Sequence, residues 1–346
     1  MVLPAKGRYD GKQSIATETA EETSQRSRQR VLIIGCNGFI GRHLALELRG
    51  DWCIRGTYRS EEGIKKLPSC VEGFQLDVTT TVGWAEALDG VDAVIHLAAR
   101  THILRDGSAG VLGRYAKVNV GGTQRALEMC QLYGIKRLVY VSSIKAVGEG
   151  SSLAYSENTA CRPEDAYGIT KRQAEELILG RTREDGMETL ILRPPLVYGP
   201  GVRGNFQRLL RAADISLPLP LAGIRNARSM LFVGNLTHCI RFLLQSPCWP
   251  SAVYHVADAG APLSTPGLLQ EISTLMGRKS HLFQFPETLL RWGLALVGRR
   301  EDARRLTRSL IVDASKLKTE LGWNPPIPHA EGLRETVTWY LNSKGV

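Results

Sequence analysis

Tyr167-Gly168-Ile169-Thr170-Lys171 sets a phenol and an ammonium four residues apart. On a helix that spacing puts both on one face. A free phenol, with a pKa of about 10, shuttles protons poorly near neutrality, and a nearby ammonium favours the phenolate. Tyr167 could then give a proton to a ketone oxygen, or take one from an alcohol, as hydride passes at the adjacent carbon. About 25 residues upstream, Val141-Ser142-Ser143 offers hydroxyls to hold that oxygen. Hydride transfer is cofactor chemistry, so a cofactor site is expected elsewhere in the chain.

Gly35-Cys36-Asn37-Gly38-Phe39-Ile40-Gly41 has the composition of such a site. Gly35 permits a tight turn, Gly38 lets backbone approach a pyrophosphate, and Gly41 lets helix and strand pack closely. Asn37, Phe39 and Ile40 complete the cradle. The helix N-terminus that follows presents unpaired N–H groups and a positive dipole end to phosphates.

The elements that must position these residues alternate. The continuous apolar run Arg30–Ile34 predicts a strand buried on both faces of a parallel sheet. Further strands are expected at 52–58, 73–76, 91–97, 135–141 and 189–192, with helices at 39–48, 111–132 and 167–179. This rhythm predicts an α/β, Rossmann-type doubly wound parallel sheet. After Pro194 prolines cluster and helical segments dominate, such as 266–276 with Ser264 or Thr265 as N-cap. We divide the chain into a disordered polar tail (1–28), an NAD(P)-binding Rossmann domain (29–200) and a smaller, mainly helical substrate lobe (201–346). One segment of the lobe is expected to return to the Rossmann sheet.

Composition narrows the partners. The formal net charge of +10 is spread along the chain, and no basic helix is interleaved with aromatics. That argues against nucleic acid and fits anionic small molecules. No run of about 18 apolar residues suggests stable membrane insertion. Seven scattered cysteines without metal-binding spacing imply free thiols in a reducing, cytoplasmic setting.

Taken in order, the glycine loop, the serines and Tyr-x-x-x-Lys resemble the extended short-chain dehydrogenase/reductase family, in its nucleotide-sugar branch. The resemblance covers about residues 30 to 340. It implies that Asp77 and Val78 contact adenine, that Leu97, Ala98 and Ala99 lie along the ribose and pyrophosphate, and that Pro194 presses on the nicotinamide. Ser143, Tyr167 and Lys171 take the catalytic roles, with Lys171 also near the nicotinamide ribose and Ser142 held as an alternative substrate contact. Asn119 resembles a helix asparagine that braces the core. Asn205 and Arg228 resemble residues that hold the substrate diphosphate. Relatives of this kind are often dimers through a helix pair on the cofactor domain.

Two positions depart from the sugar epimerases of the family. The second strand ends Tyr58-Arg59-Ser60, with no acid before Glu61. Arg59 and Ser60 suit a 2′-phosphate, so NADP(H) is favoured and NAD(H) remains possible. Aligned on Val147, the usual hydroxyl position falls on Ile144. Both features tilt the expectation toward 4-keto reduction of a UDP-N-acetyl-6-deoxyhexosamine for surface polysaccharide synthesis. UDP-glucose or UDP-N-acetylglucosamine 4-epimerisation is the alternative, and a non-catalytic NADP-sensing protein a further one.

Overall fold

The computed structural model describes residues 28–101, 110–151, 153–247 and 249–344. The expected tail therefore lies, apart from Arg28, outside the described residues. The chain runs β1 (Arg30–Ile34), α1 (Phe39–Leu48), β2 (Cys53–Tyr58), α2 (Glu61–Ile64), β3 (Val71–Gln75), α3 (Trp84–Leu88) and β4 (Ala93–His96). Next come α4 (Val111–Ala116), α5 (Gly122–Leu132), β5 (Arg137–Val141), α6 (Ala166–Asp185), β6 (Glu188–Arg193) and β7 (Leu196–Tyr198). The remainder is α7 (Asn205–Asp214), β8 (Met230–Phe232), α8 (Val233–Gln245), β9 (Ala252–His255), α9 (Thr265–Leu275), α10 (Glu287–Leu296), α11 (Arg300–Thr307), α12 (Ser315–Leu321) and α13 (His329–Asn342).

Seven parallel strands form one sheet in the order β3-β2-β1-β4-β5-β6-β9. The order reverses between β1 and β4. Open α/β sheets bind ligands at such a point, outside the carboxyl ends of the strands. The central strands β1, β4, β5 and β6 are buried on both faces, which is why most of their residues are apolar, whereas the edge strand β3 is largely exposed. One face packs Val31, Ile33, Val139 and Val141 against α1 and α8. The other packs Leu32, Ile34, Leu138 and Tyr140 against α3, α5 and α6.

The helix expected at 111–132 is present with one irregularity: a π turn at Lys117–Gly121 joins α4 to α5. Asn119 sits in that turn, fully buried, and explains it. Its side chain accepts from Arg100 N at 2.7 Å and donates to Thr170 Oγ1 at 3.0 Å. It thus ties the loop after β4 to α6.

The chain also leaves the sheet and comes back. α8 packs on α1, and β9 pairs with β6. The lobe has its own core, in which Phe206, Leu210, Phe232, Leu269 and Val337 join α7, β8, α9 and α13. Ser264 caps α9, accepting from Gly267 N at 3.1 Å, with Pro266 in the first turn. No helix among the described residues is long and apolar enough to cross a membrane. The six described cysteines carry free thiols.

Candidate active site

The glycine loop sits at the end of β1, where the strand order reverses. Gly35 has φ +84°, a left-handed conformation that favours glycine, and a Cβ there would stand 3.0 Å from Ala98 N. A Cβ on Gly41 would meet the backbone of Cys36 and Gly35 at 2.6 Å. Gly38 is exposed and forms the N-cap of α1 without a side-chain cap. The loop is therefore pressed tightly inward and left bare outward, which fits a pyrophosphate at the helix N-terminus. Gly41→Ala should push α1 off the strand. The helix-end contribution is up to about 2 kcal/mol, so we expect nicotinamide-cofactor affinity, measured by calorimetry, to fall ~10- to 30-fold. Unchanged affinity would show that the loop does not hold the phosphates.

The other sequence-derived cofactor positions line the same carboxyl edge of the sheet. Arg59 and Ser60 are exposed at the end of β2. The side chain of Asn37 lies 2.7 Å from where a Cβ on Gly63 would be, in α2 beside them. Asp77 accepts from Thr79 N and Thr79 Oγ1 at 2.9 and 2.8 Å, and those bonds, with Arg59 nearby, keep its carboxyl below the usual range. Val78 is buried against Gly122. Leu97, Ala98 and Ala99 are half-buried just beyond β4. Pro194 follows β6, and its carbonyl accepts from Ile144 N at 2.9 Å, beside Ser143.

Ser143 caps a short 3-10 turn (Ile144–Ala146) after β5, and its side chain hydrogen-bonds Tyr167. Asp165 accepts from Gly168 N at 2.7 Å as the N-cap of α6, which starts the helix one residue before Tyr167. Burial raises the Tyr167 pKa, Asp165 raises it further, and the bond to Ser143 works the other way.

The ammonium of Lys171 is held from the inside. Its Nζ donates to the Val141 carbonyl at 2.7 Å and lies 4.1 Å from the centre of the Tyr140 ring. Only 1% exposed, the side chain takes the nearest carbonyl and π face, and burial pushes its pKa down to about 7 against the pull of Glu175. The side chain that favours the phenolate is Ser143. Ser142 is engaged elsewhere. Its Oγ donates to Glu175 Oε1 at 2.6 Å in the core. Neighbouring residues at a strand end point to opposite sides, so only one of the two serines can face the phenol.

The sequence reading missed two charged clusters. Glu175, one helical turn beyond Lys171, takes Arg193 in a two-pronged ion pair at 2.8 and 2.6 Å, fully buried. Its signal was an acid continuing the 167–171 stripe. In the second cluster Lys145 bridges Glu149 and Asp165, each at 2.6 Å. Burial opposes ionisation of Asp165, yet its bonds to Glu149, Lys145 and Gly168 N hold it down at about 2, while burial and Asp165 push Glu149 up.

The substrate positions are on the lobe. Asn205 is the first residue of α7 and half-buried. Arg228 Nη1 donates to the carbonyls of Arg305 and Arg308 at 3.2 and 2.9 Å, around the end of α11. That nitrogen is spent on backbone, which the sequence reading did not foresee, and the Glu149 carboxyl acts on the same guanidinium.

A doubly wound sheet carrying a dinucleotide loop and a Ser–Tyr–Lys site is the architecture of a short-chain dehydrogenase/reductase. The chain belongs to the NAD dependent epimerase/dehydratase family, whose model matches residues 31–257. It is 31% identical to a UDP-glucose 4-epimerase of Vibrio cholerae, over 90% of this chain and 96% of that one. It is 28% identical to a 3 beta-hydroxysteroid dehydrogenase/Delta 5-->4-isomerase of Mycobacterium tuberculosis, over 90% of each. In fold it resembles the UDP-glucuronic acid 4-epimerase of Bacillus cereus in complex with NAD, with TM-score 0.74 and 21% identity over 91% of this chain and 99% of that one. The family is thus as the residues implied, while the Bacillus cereus neighbour carries NAD and not the NADP(H) that Arg59 favours.

Proposed function

We propose that this enzyme acts at C4 of a UDP-hexose and that its net reaction is NADPH-dependent reduction of a UDP-4-keto-6-deoxy-N-acetylhexosamine. The observation that carries the C4 chemistry is the hydrogen bond between Ser143 and Tyr167 at the sheet edge that also bears the glycine loop. The bound nicotinamide supplies the hydride. Ser143 holds O4 of the ketone, and Tyr167 gives its phenolic proton to that oxygen as C4 becomes a carbinol. Lys171, anchored on the Val141 carbonyl just before the two serines, would lie near the nicotinamide ribose. Asn205 and the remaining guanidinium nitrogens of Arg228 would hold the diphosphate.

Two features favour reduction: Arg59 at the end of β2, and Ile144, buried where a hydroxyl-bearing residue stands in the sugar epimerases. The Vibrio cholerae relative favours the second reading, 4-epimerisation of UDP-glucose or UDP-N-acetylglucosamine. In that reading Tyr167 takes the O4 proton and returns it after the ketone has turned its other face. A non-catalytic NADP-sensing protein would not need Tyr167.

The test is to incubate the purified enzyme with a UDP-4-keto-6-deoxy sugar, UDP-glucose and UDP-N-acetylglucosamine, following nicotinamide absorbance and products together. Stoichiometric loss of NADPH with the keto sugar is expected. Interconversion of the 4-hydroxy sugars with no net cofactor change would overturn reduction in favour of epimerisation. Arg59→Glu should weaken NADP(H) binding ~10- to 100-fold, the equivalent of one charge-assisted hydrogen bond of about 1.5–3 kcal/mol, and leave NAD(H) binding intact. Equal effects on both cofactors would remove Arg59 from 2′-phosphate recognition.

A further inference from the structure

Sixteen large apolar side chains are exposed among the described residues, and six of them fall within 283–297: Phe283, Phe285, Leu289, Trp292, Leu296 and Val297. Ordinary surfaces scatter such residues singly. α10 has no buried residue. Its inner side reaches the lobe core through Leu290, and α11 reaches the same core through Leu306. Leu289, Trp292 and Leu296 then recur at i, i+3 and i+7 on another side, where Trp292 is 73% and Leu296 82% exposed. The helix thus carries a second apolar stripe that the fold does not use.

The charges around this stripe have one sign in excess. Residues 278–305 hold seven arginines and lysines against three acids. Arg291 and Arg299 flank the stripe, more than half exposed, and among the described residues their ion pairs, to Glu287 and Asp302, are long at 3.8 and 3.6 Å. A second copy of the chain would bring this positive rim against itself. An anionic lipid surface complements it. Tryptophan and leucine sink to the headgroup boundary while arginine keeps its head among phosphates, and that is the composition of a helix lying in a membrane interface.

We propose that α10, with residues 283–285, is a surface-docking helix that rests on anionic lipid headgroups. It needs no membrane-spanning helix. Because α10 packs on α11, whose terminal carbonyls hold Arg228, docking would bring the substrate lobe to the membrane face.

Sedimentation of the full-length protein with vesicles tests this. Vesicles of phosphatidylcholine containing phosphatidylglycerol should bind at least about tenfold more protein than pure phosphatidylcholine, with the difference lost in high salt. Trp292→Gln with Leu296→Gln should abolish binding without changing thermal unfolding, since both side chains are exposed. Val82→Gln, 77% exposed on the Rossmann domain, should bind as the unaltered protein does. Equal sedimentation with both vesicles, or with neither, would overturn the proposal. So would a dimer in solution that Leu296→Gln converts to monomer, because a second copy would then cover the stripe.

Discussion

Tyr167→Phe is expected to leave cofactor affinity unchanged and to lower turnover at least ~100-fold, the ordinary contribution of a positioned general acid. The ring fills the same space, so packing against its neighbours survives. What disappears is the hydroxyl that hydrogen-bonds Ser143 and carries the transferable proton. Burial and Asp165 raise the pKa of this phenol. The protonated form is therefore the resting form at neutral pH, which suits proton donation to a ketone. Single-turnover kinetics with the accepted substrate would measure the loss directly. Near-normal turnover would remove Tyr167 from the chemistry and assign the proton donor to another group.

Glu175→Gln is expected to destabilise the fold by about 3–5 kcal/mol, the usual cost of breaking a buried ion pair from one side. Glu175 is 0% exposed and Arg193 2%. Their pairing at 2.8 and 2.6 Å is joined by Ser142 Oγ at 2.6 Å. Removing the carboxylate strands a guanidinium in the core between α6 and β6. Urea unfolding would show a lower midpoint with an unchanged slope. Arg193→Met introduced together with Glu175→Leu should recover much of the loss, because no uncompensated charge remains. A loss below about 1 kcal/mol for Glu175→Gln would mean that water reaches the pair. The same substitution should also reach the active site: Glu175 is the charge that holds up the pKa of Lys171, so burial would push that pKa below about 7 in the variant.

Much of the fold was legible because its signals are local. A run such as Val31 to Ile34, followed by a glycine loop and an amphipathic stretch, specifies strand, turn and helix through neighbouring residues alone. Strand ends moved by one or two residues: 73–76 became Val71–Gln75 and 91–97 became Ala93–His96. The sixth helix ran beyond its expected end at 179 to Asp185, stopping at Gly186 in the left-handed conformation. The short pair β7–β8 and the strand β9 carried too few residues to announce themselves. β9 reaches the sheet by pairing with β6 across some sixty residues of chain, and no local pattern encodes that choice of partner.

The amino-acid sequence by itself determined the cofactor loop and the chemistry available to this protein. The spacing of Gly35, Gly38 and Gly41 and the four-residue step from Tyr167 to Lys171 are properties of neighbouring residues, and helix and turn geometry turn them into a site. Tertiary structure decided where the charges point. It set Ser142 into the core and Ser143 against the phenol, although the two are identical in type. It turned Lys171 toward Val141 and Tyr140, tied Arg228 Nη1 to the end of α11, and left one side of α10 uncovered. The reason is physical. A buried charge or hydroxyl goes to the nearest group that satisfies it, and that group is supplied by a distant part of the chain brought close only by folding.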